Sequence, residues 1–223
     1  LKKRNNVKIV IWEFGFNYSA INNFGEKSAS GEYLLFLNND VEVISPGWIE
    51  EMLMFAQRED VGAVGARLLY PDDTIQHAGV ILGIGGCAGH ANKYIPKTAP
   101  GYANRALIAQ DLSACTAACL MVRKSVFDEV NGFDESFEVA FNDVDFCLRI
   151  REKDYLIVYT PYAELYHYES KSRGHEDSSE KQTRFNGEVF RLKERWGEIL
   201  VSDPYYNSNL TLRSENFSIK LKE

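Results

Sequence analysis

The sequence predicts an α/β fold in which helices cover a layered sheet. Continuous apolar runs, which are typical of strands buried on both faces, alternate with segments whose apolar residues recur at helical spacing. With 223 residues, of which 45% are hydrophobic, the chain can bury one substantial core or two small ones. Ligands of such sheets bind outside the carboxyl ends of the strands. Polar residues at those ends are therefore the candidates for a functional site.

The first part of the chain predicts three strands and two helices in alternation. Residues 7–12 (VKIVIW) and 32–38 (EYLLFLN) are apolar runs typical of strands, and residues 17–29 between them are a candidate helix. This order predicts a βαβ unit with parallel strands. A helix at 46–59 and another strand at 61–70 continue the pattern.

The rest of the chain keeps this alternation after a loop-rich, glycine-rich excursion at 71–102. The elements predicted next are a strand and a short helix at about 124–130, a helix at 141–154 with Asn142 as its N-cap, strands at 155–160 and 164–169, and a long amphipathic helix at 178–196. Residues 201–223 are polar with scattered apolar side chains. We therefore expect one domain over residues 1–200 and an extended arm over residues 201–223.

Composition argues against two classes of partner. The net charge of -7 and the pI near 5.3, without clustered Lys and Arg, argue against a nucleic-acid surface. No stretch reaches the roughly 18 uninterrupted apolar residues that a membrane helix needs, and the basic N-terminus lacks a signal-like apolar run. We expect a cytoplasmic protein without a membrane span. Peripheral contact with the inner face of the membrane stays open.

The four cysteines predict buried free thiols. Cys87, Cys115, Cys119 and Cys147 form no CxxC pair and no repeated metal-ligand spacing. Cys115 and Cys119 lie in a run of small apolar residues, and Cys147 lies between Phe146 and Leu148. Apolar surroundings favour thiols that pack in the core, so a zinc site is not expected.

The apolar run at 33–37 ends abruptly in Asn38, Asn39 and Asp40. A carboxylate with two amides at the carboxyl end of a strand is well placed to hold a hard divalent cation that grips a diphosphate. The same three residues are also what a strand needs in order to stop in a turn. Both interpretations stay open on spacing alone.

Two further carboxylates lie in the first turn of the helix predicted at 141–154. Asp143 and Asp145 would both be favoured there by the positive end of the helix dipole. Asp143 also follows directly on the turn into the helix, where a carboxylate could accept a proton from an attacking hydroxyl. The sequence leaves the structural and the catalytic interpretation open.

A histidine and a basic loop follow the last predicted strand. His167 is a possible metal ligand or a structural residue, and the loop after it carries Lys171, Arg173 and His175. A basic loop beside a cation and a diphosphate would close over the phosphates.

Taken together, these motifs resemble family 2 glycosyltransferases of the GT-A fold. The resemblance covers about residues 7–197 and is carried by the spaced pattern from Asn23 to Asp40, NGFDE (131–135), NDVDFCLR (142–149), HYESKSRG (167–174) and RLKERWG (191–197). The segment FNYSAINNFG (16–25) is similar to a subgroup common in bacterial cell-surface polysaccharide synthesis. The resemblance implies inverting transfer of a sugar from a nucleotide-diphosphate donor to a hydroxyl of a saccharide or lipid-linked saccharide acceptor.

The resemblance also implies a metal site for Mn2+ or Mg2+. Asp40 matches its metal-binding carboxylate, and His167 matches a metal-ligating histidine after the last core strand. Asn38 stands where the family has an acidic residue, so the predicted metal site has one negative charge fewer. Asn39 completes the triplet beside the diphosphate.

Further residues match the family in other roles. Asp143 matches the catalytic base, with Asn142 where a glutamate is usual. Arg173 and Lys171 match a loop that contacts the diphosphate, and Trp196 matches a tryptophan that we interpret as structural.

The excursion at 71–102 lies where the family places acceptor contacts. His77 and His90 belong to it, and structural roles are at least as plausible for both. The segment 110–119 matches a strand that borders the donor sugar, where Thr116 and its small neighbours could leave room for the sugar.

The family domain normally has a strand, a helix and a second strand, which carries a nucleobase-reading aspartate, before the position of residues 7–12. The resemblance thus implies that roughly 60 or more residues of the domain are missing, that donor binding is weak and turnover low, and that a homodimer could cover the exposed sheet edge. Two other classes stay open: a non-catalytic carbohydrate- or partner-binding domain, and a sugar nucleotidyltransferase.

Overall fold

The computed structural model describes residues 7–169 and 178–221. The α-helices in this part of the chain are α1 (Tyr18–Glu26), α2 (Trp48–Ala56), α3 (Lys124–Glu129), α4 (Asn142–Arg151) and α5 (Ser179–Leu200). The strands are β1 (Tyr33–Leu37), β2 (Val41–Val43), β3 (Val61–Leu69), β4 (Ile75–His77), β5 (Val80–Leu82), β6 (Ala88–His90), β7 (Gln110–Leu112), β8 (Cys119–Arg123) and β9 (Leu156–His167). None of the described helices is both long and apolar enough to cross a bilayer.

A mixed sheet with the strand order β1-β8-β3-β9-β2 forms the centre of the fold, and β4 and β7 pair with β3 and β9. β3 and β9 run parallel, whereas the other neighbours are antiparallel. Every residue of β3 is buried, because helices and loops cover both of its faces. This explains why β3 reads as a continuous apolar run and not as an alternating one.

The two faces of the sheet bury separate apolar clusters. α2 packs Met52 and Ala56 on one face. The other face holds the larger cluster, in which the rings of Phe133 and Phe146 lie 4.4 Å apart between centroids. All four cysteines are buried as free thiols, as the sequence predicts.

The described part of the tail packs against the two-stranded ribbon of β5 and β6. Leu210 and Phe217 are buried in a small cluster with Ile81 and Ile84. Farther along the tail, Ile219 and Leu221 are 74% and 84% exposed. The division into a domain over residues 1–200 and an extended arm over residues 201–223 stays a prediction.

The prediction of a strand at residues 7–12 is wrong. These residues have no strand conformation, and Ile11 is 73% exposed. An apolar run becomes a strand only where a neighbouring strand takes its backbone hydrogen bonds. Among the described residues β1 pairs only with β8, and antiparallel, so the predicted parallel βαβ unit is wrong as well. A homodimer that covers the free edge of β1 stays a prediction.

Two details around α4 and β9 also differ from the sequence predictions. Phe141, in the left-handed conformation with φ of 60°, is the N-cap of α4, whereas Asn142 is its first residue. The buried Asn142 amide N–H donates to the carbonyl oxygen of Val139 at 2.9 Å, so this side chain binds the loop before α4. The strands predicted at 155–160 and 164–169 are parts of one strand, β9. Residues 161–163 bulge out of its pairing with β3, and the pairing resumes at Glu164.

Asp145 ties α4 to α5 from a fully buried position. Its carboxylate accepts hydrogen bonds from Arg149 Nε at 2.8 Å, from Arg195 Nη1 at 2.6 Å and from Trp196 Nε1 at 2.9 Å. Asp145 is therefore structural in this fold, and Trp196 has the structural role that the sequence predicts.

We expect Asp145→Ala to lower the free energy of unfolding by about 3 kcal/mol, because it leaves two guanidinium groups and an indole N–H without their buried partner. Urea denaturation measures the change. The exposed Asp128 on α3 offers the matched control, since Asp128→Ala should stay within about 0.5 kcal/mol of wild type. Equal losses in the two variants would contradict the role of Asp145.

Candidate active site

The turn between β1 and β2 places Asp40 beside His167. β2 pairs with the end of β9 so that Val41 lies opposite His167, and Tyr168 N–H donates to the backbone oxygen of Asp40 at 2.9 Å. The structure thus brings Asn38, Asp40 and His167 together at the carboxyl end of the central strand. Asn39 is exposed and makes no hydrogen bond with the described residues.

The imidazole of His167 is held from both sides. Nδ1 lies 2.7 Å from Gln76 Oε1, while Nε2 lies 3.2 Å from Asp40 Oδ1 and 3.2 Å from Asn38 Nδ2. Gln76 is buried on β4, and its amide nitrogen is directed at the His167 carbonyl and the Glu169 carboxylate, both at 3.3 Å. The Gln76 oxygen therefore accepts from Nδ1–H, which leaves Nε2 without a proton in the neutral ring.

Burial lowers the pKa of His167, although the negative charges of Asp40 and Glu169 oppose this effect. In the neutral ring the unprotonated Nε2 lies between the Asn38 amide nitrogen, which can donate to it, and the Asp40 carboxylate. Two electron-rich atoms at 3.2 Å fit two adjacent ligands of one small cation, since ligand bonds of about 2.1 Å at right angles place ligand atoms about 3.0 Å apart. The residues present therefore fit a divalent cation.

Within residues 7–169 and 178–221, no group of three or more His, Cys, Asp and Glu side chains converges on one point. Asp40 and His167 would thus leave most of a cation's coordination sphere to other ligands. This suits a cation such as Mg2+ that is shared with substrate phosphates.

Asp143 lies at the start of α4 with both carboxylate oxygens oriented by backbone N–H groups. Oδ1 accepts from Val144 N–H at 2.9 Å, and Oδ2 accepts from Ala117 N–H at 3.2 Å. The side chain is half-buried, so the carboxylate combines a fixed orientation with access from outside. An acceptor-only group held in this way is suited to take a proton.

Sequence reasoning missed the residue that holds the loop before Asp143. Glu188 on α5 is buried and accepts from Val139 N–H at 2.8 Å and from Ala140 N–H at 3.2 Å. Because α4 begins directly after this loop, Glu188 fixes the position of the first turn of α4, which carries Asp143. Gln76 was missed as well. Neither residue has a local sequence signal, since each acts on backbone or on a side chain far away in the sequence.

His77 and His90 form a pair next to this site. Their Nδ1 atoms lie 2.9 Å apart, and His77 Nε2 lies 3.3 Å from the backbone nitrogen of Thr116. Lys171 and Arg173, which the resemblance assigns to the diphosphate, lie outside the described residues.

The model of the family described as glycosyl transferase family 2 matches residues 1–130, which is more than half of the chain. The chain belongs to this family. It is 51% identical over 203 residues to an uncharacterized protein, y4gI, of Sinorhizobium fredii, which covers 91% of the chain and 22% of that relative. It is 40% identical over 213 residues to an O-antigen biosynthesis protein, RfbC, of Myxococcus xanthus, which covers 94% of the chain and 16% of that relative.

The chain spans less than a quarter of the length of these two relatives. An N-acetylglucosaminyl-diphospho-decaprenol L-rhamnosyltransferase of Mycobacterium tuberculosis is 29% identical over 158 residues, which are 66% of the chain and 50% of that relative. The resemblance to family 2 glycosyltransferases is thereby confirmed.

Two solved glycosyltransferase structures share the fold. GalNAc-T7 with UDP, GalNAc and Mn2+ matches 82% of the chain and 35% of its own, with a TM-score of 0.59 and 13% identity. The mannosyltransferase PcManGT of Pyrobaculum calidifontis with GDP-Man and Mn2+ matches 81% and 43%, with a TM-score of 0.52 and 12% identity. The predicted GT-A fold is confirmed by these likenesses.

We expect the protein to lose stability as the pH falls below about 6.5. Burial lowers the pKa of His77 well below its usual value, and the nearby His90 and His167 lower it further when they are protonated. Burial also lowers the pKa of His90. Below about pH 6.5 the unfolded chain thus binds more protons than the folded one, so the free energy of unfolding falls by up to about 1.4 kcal/mol per pH unit for each such histidine.

Urea denaturation at pH 7.5, 6.5 and 5.5 measures this dependence. His77→Phe should have a shallower dependence than wild type between pH 6.5 and 5.5. A wild-type stability that stays constant or rises on acidification would contradict the prediction.

Proposed function

We propose that this chain carries the catalytic centre of an inverting glycosyltransferase, which moves a sugar from a nucleotide-diphosphate donor to a hydroxyl of a saccharide or lipid-linked saccharide. The observation that carries the proposal is the position of His167 Nε2, 3.2 Å from Asp40 Oδ1 at the carboxyl end of the central strands, in a ring whose Nδ1 lies 2.7 Å from Gln76 Oε1. Relatives named for O-antigen biosynthesis and for rhamnosyl transfer support a role in cell-surface polysaccharide synthesis and a hexosyl or rhamnosyl donor.

Asp40 and His167 would hold Mn2+ or Mg2+, with the Asn38 amide beside them. A cation bound there neutralises charge on the leaving diphosphate. Two observations support this assignment: the tautomer that Gln76 imposes on His167, and the Mn2+ present with UDP or GDP-Man in the two structures of the same fold. Lys171 and Arg173 are assigned to the diphosphate on the family resemblance alone.

Asp143 would act as the base. In a single displacement the acceptor oxygen forms a bond to the anomeric carbon, the bond from that carbon to the diphosphate oxygen breaks, and the hydroxyl proton moves to the Asp143 carboxylate. The support is geometric, since the backbone N–H groups of Ala117 and Val144 orient this half-exposed carboxylate. No covalent nucleophile is needed, because inversion requires only one displacement.

We expect calorimetric titration with UDP, dTDP and GDP to detect binding of at least one of them that depends on Mn2+. Asp40→Ala should abolish that binding, because it removes the carboxylate that shares the cation with His167. Glu42→Ala is the matched control, since Glu42 is an exposed carboxylate two residues away that bonds Tyr168 OH. Binding that is unaffected by Mn2+, or that is lost equally in the control, would contradict the cation site.

We expect Asp143→Asn to lower the rate of sugar transfer by a factor of about 10² to 10⁴, because the amide cannot accept the hydroxyl proton. Mn2+-dependent nucleotide binding should persist, since Asp143 is not placed on the cation. The measurement is nucleoside diphosphate release from dTDP-rhamnose and UDP-glucose with a saccharide acceptor. Asp128→Asn on the exposed face of α3 controls for the same chemical change. A transfer rate unchanged by Asp143→Asn would contradict the role of Asp143 as the base, whereas a wild-type protein that binds nucleotide but transfers no sugar would favour a non-catalytic binding domain.

A further inference from the structure

His77 and His90 form a hydrogen-bonded pair that the proposed chemistry does not use. Their rings are nearly perpendicular at 80°, with centroids 4.9 Å apart, and their Nδ1 atoms lie 2.9 Å from each other. His77 is fully buried at the end of β4, and His90 is half-buried at the end of β6. Two ring nitrogens at this distance require one proton between them.

The backbone decides which ring carries that proton. The N–H of Thr116 can only donate, and it lies 3.3 Å from His77 Nε2. His77 Nε2 is therefore an acceptor without a proton, and the proton of a neutral His77 is on Nδ1. It follows that His77 Nδ1–H donates to His90 Nδ1, and that a neutral His90 carries its own proton on Nε2. Burial lowers the pKa of both rings, which favours the neutral forms near pH 7.

The pair is joined to Asp143 by adjacent peptide groups. Thr116 N–H donates to His77, and the next N–H in the chain, that of Ala117, donates to Asp143 Oδ2. The Asp143 carboxylate is also the charge that opposes most strongly the effect of burial on the pKa of His90. Nε2 of the half-buried His90 makes no hydrogen bond to any described residue.

We propose that His77 fixes the Nε2–H tautomer of His90, and that this N–H binds a hydroxyl oxygen of the saccharide held at Asp143. The inference rests on the proposed function. His90 is then a binding residue and His77 a positioning residue. A saccharide offers neighbouring hydroxyls, each of which can donate and accept. The acceptor-only Asp143 and a donor-only His90 Nε2–H would take two neighbouring hydroxyls in opposite senses.

A purely structural role explains the pair less well. Burying two imidazoles costs desolvation free energy that an apolar pair of similar volume would avoid. The bond between His77 and His90 uses two of the four ring nitrogens, and the Thr116 contact uses a third. The fourth, Nε2 of His90, is left as a donor that has no partner among the described residues.

The first test uses the wild-type chain and needs no variant. Ring ¹⁵N NMR at pH 7.5 distinguishes protonated from unprotonated imidazole nitrogens. We expect protonated Nδ1 in His77 and protonated Nε2 in His90, with protonated Nδ1 in His167 as the internal reference set by Gln76. A proton on Nδ1 of His90 would overturn the proposal, whether or not the chain binds nucleotides.

The second test is titration with the methyl glycosides of L-rhamnose, D-glucose and N-acetyl-D-glucosamine, in the presence of Mg2+ and UDP. We expect a saturable shift of the His90 Nε2 resonance with at least one glycoside. His90→Phe should weaken that glycoside about fivefold to tenfold, which corresponds to one lost neutral hydrogen bond. His90→Gln, which keeps an N–H donor, should recover most of the loss.

Saturable binding that leaves the His90 Nε2 resonance unmoved would overturn the saccharide contact, and so would the absence of binding by all three glycosides. Equal effects of His90→Phe and His90→Gln would indicate a structural pair and also overturn it. These results are distinguishable from failure of the proposed function, which would appear as loss of Mn2+-dependent nucleotide binding with the predicted tautomers intact.

Discussion

The parallel pairing of β3 with β9 is the interaction on which the rest of the structure depends. Because the two strands run in the same direction, their carboxyl ends meet at one edge of the sheet, as ligand sites in α/β proteins require. The end of β9 supplies His167, and β4, which folds back from the end of β3, supplies the Gln76 that orients it. β2 then pairs with the same end of β9 and places Asp40 against the imidazole. Three segments that are far apart in sequence are thus brought together by backbone register.

The loop between β7 and β8 controls the other half of the site. It passes so close to β3 that a Cβ at Gly65 would overlap the side chain of Cys115, so a glycine is needed at that position. The close approach presents the peptide N–H groups of Thr116 and Ala117 to His77 and Asp143. Peptide groups have few degrees of freedom once their loop is packed, so the orientation of both side chains follows from the packing of small residues. The loop and the central strands therefore together position the proposed catalytic groups.

The sequence predicted the α/β class and most helices from apolar periodicity, and it placed Asp40 and His167 in one site only through the family resemblance. It failed where the outcome depends on a partner from elsewhere in the chain. Residues 7–12 have the composition of a strand but no strand to pair with among the described residues. Asn142 has the chemistry of a cap but lies inside the helix, where its amide N–H donates to Val139. Gln76 and Glu188 were not predicted because a buried amide or carboxylate that orients another group has no characteristic local spacing. The polar composition of residues 201–223 predicted an extended arm and did not indicate that Leu210 and Phe217 pack against Ile81 and Ile84.

Asp203, a buried residue just beyond α5, attaches the tail to the rest of the fold. One of its carboxylate oxygens accepts from Leu82 N–H at 2.8 Å, and the other accepts from Ser113 Oγ at 2.7 Å and from Tyr205 N–H at 2.8 Å. Ser113 belongs to the loop that carries Thr116 and Ala117. A fragment cut at residue 200 would leave a buried amide and a buried hydroxyl without their acceptor and would loosen that loop. The segment that supports the proposed catalytic groups thus extends past α5, and expression fragments of related proteins should be designed to include it.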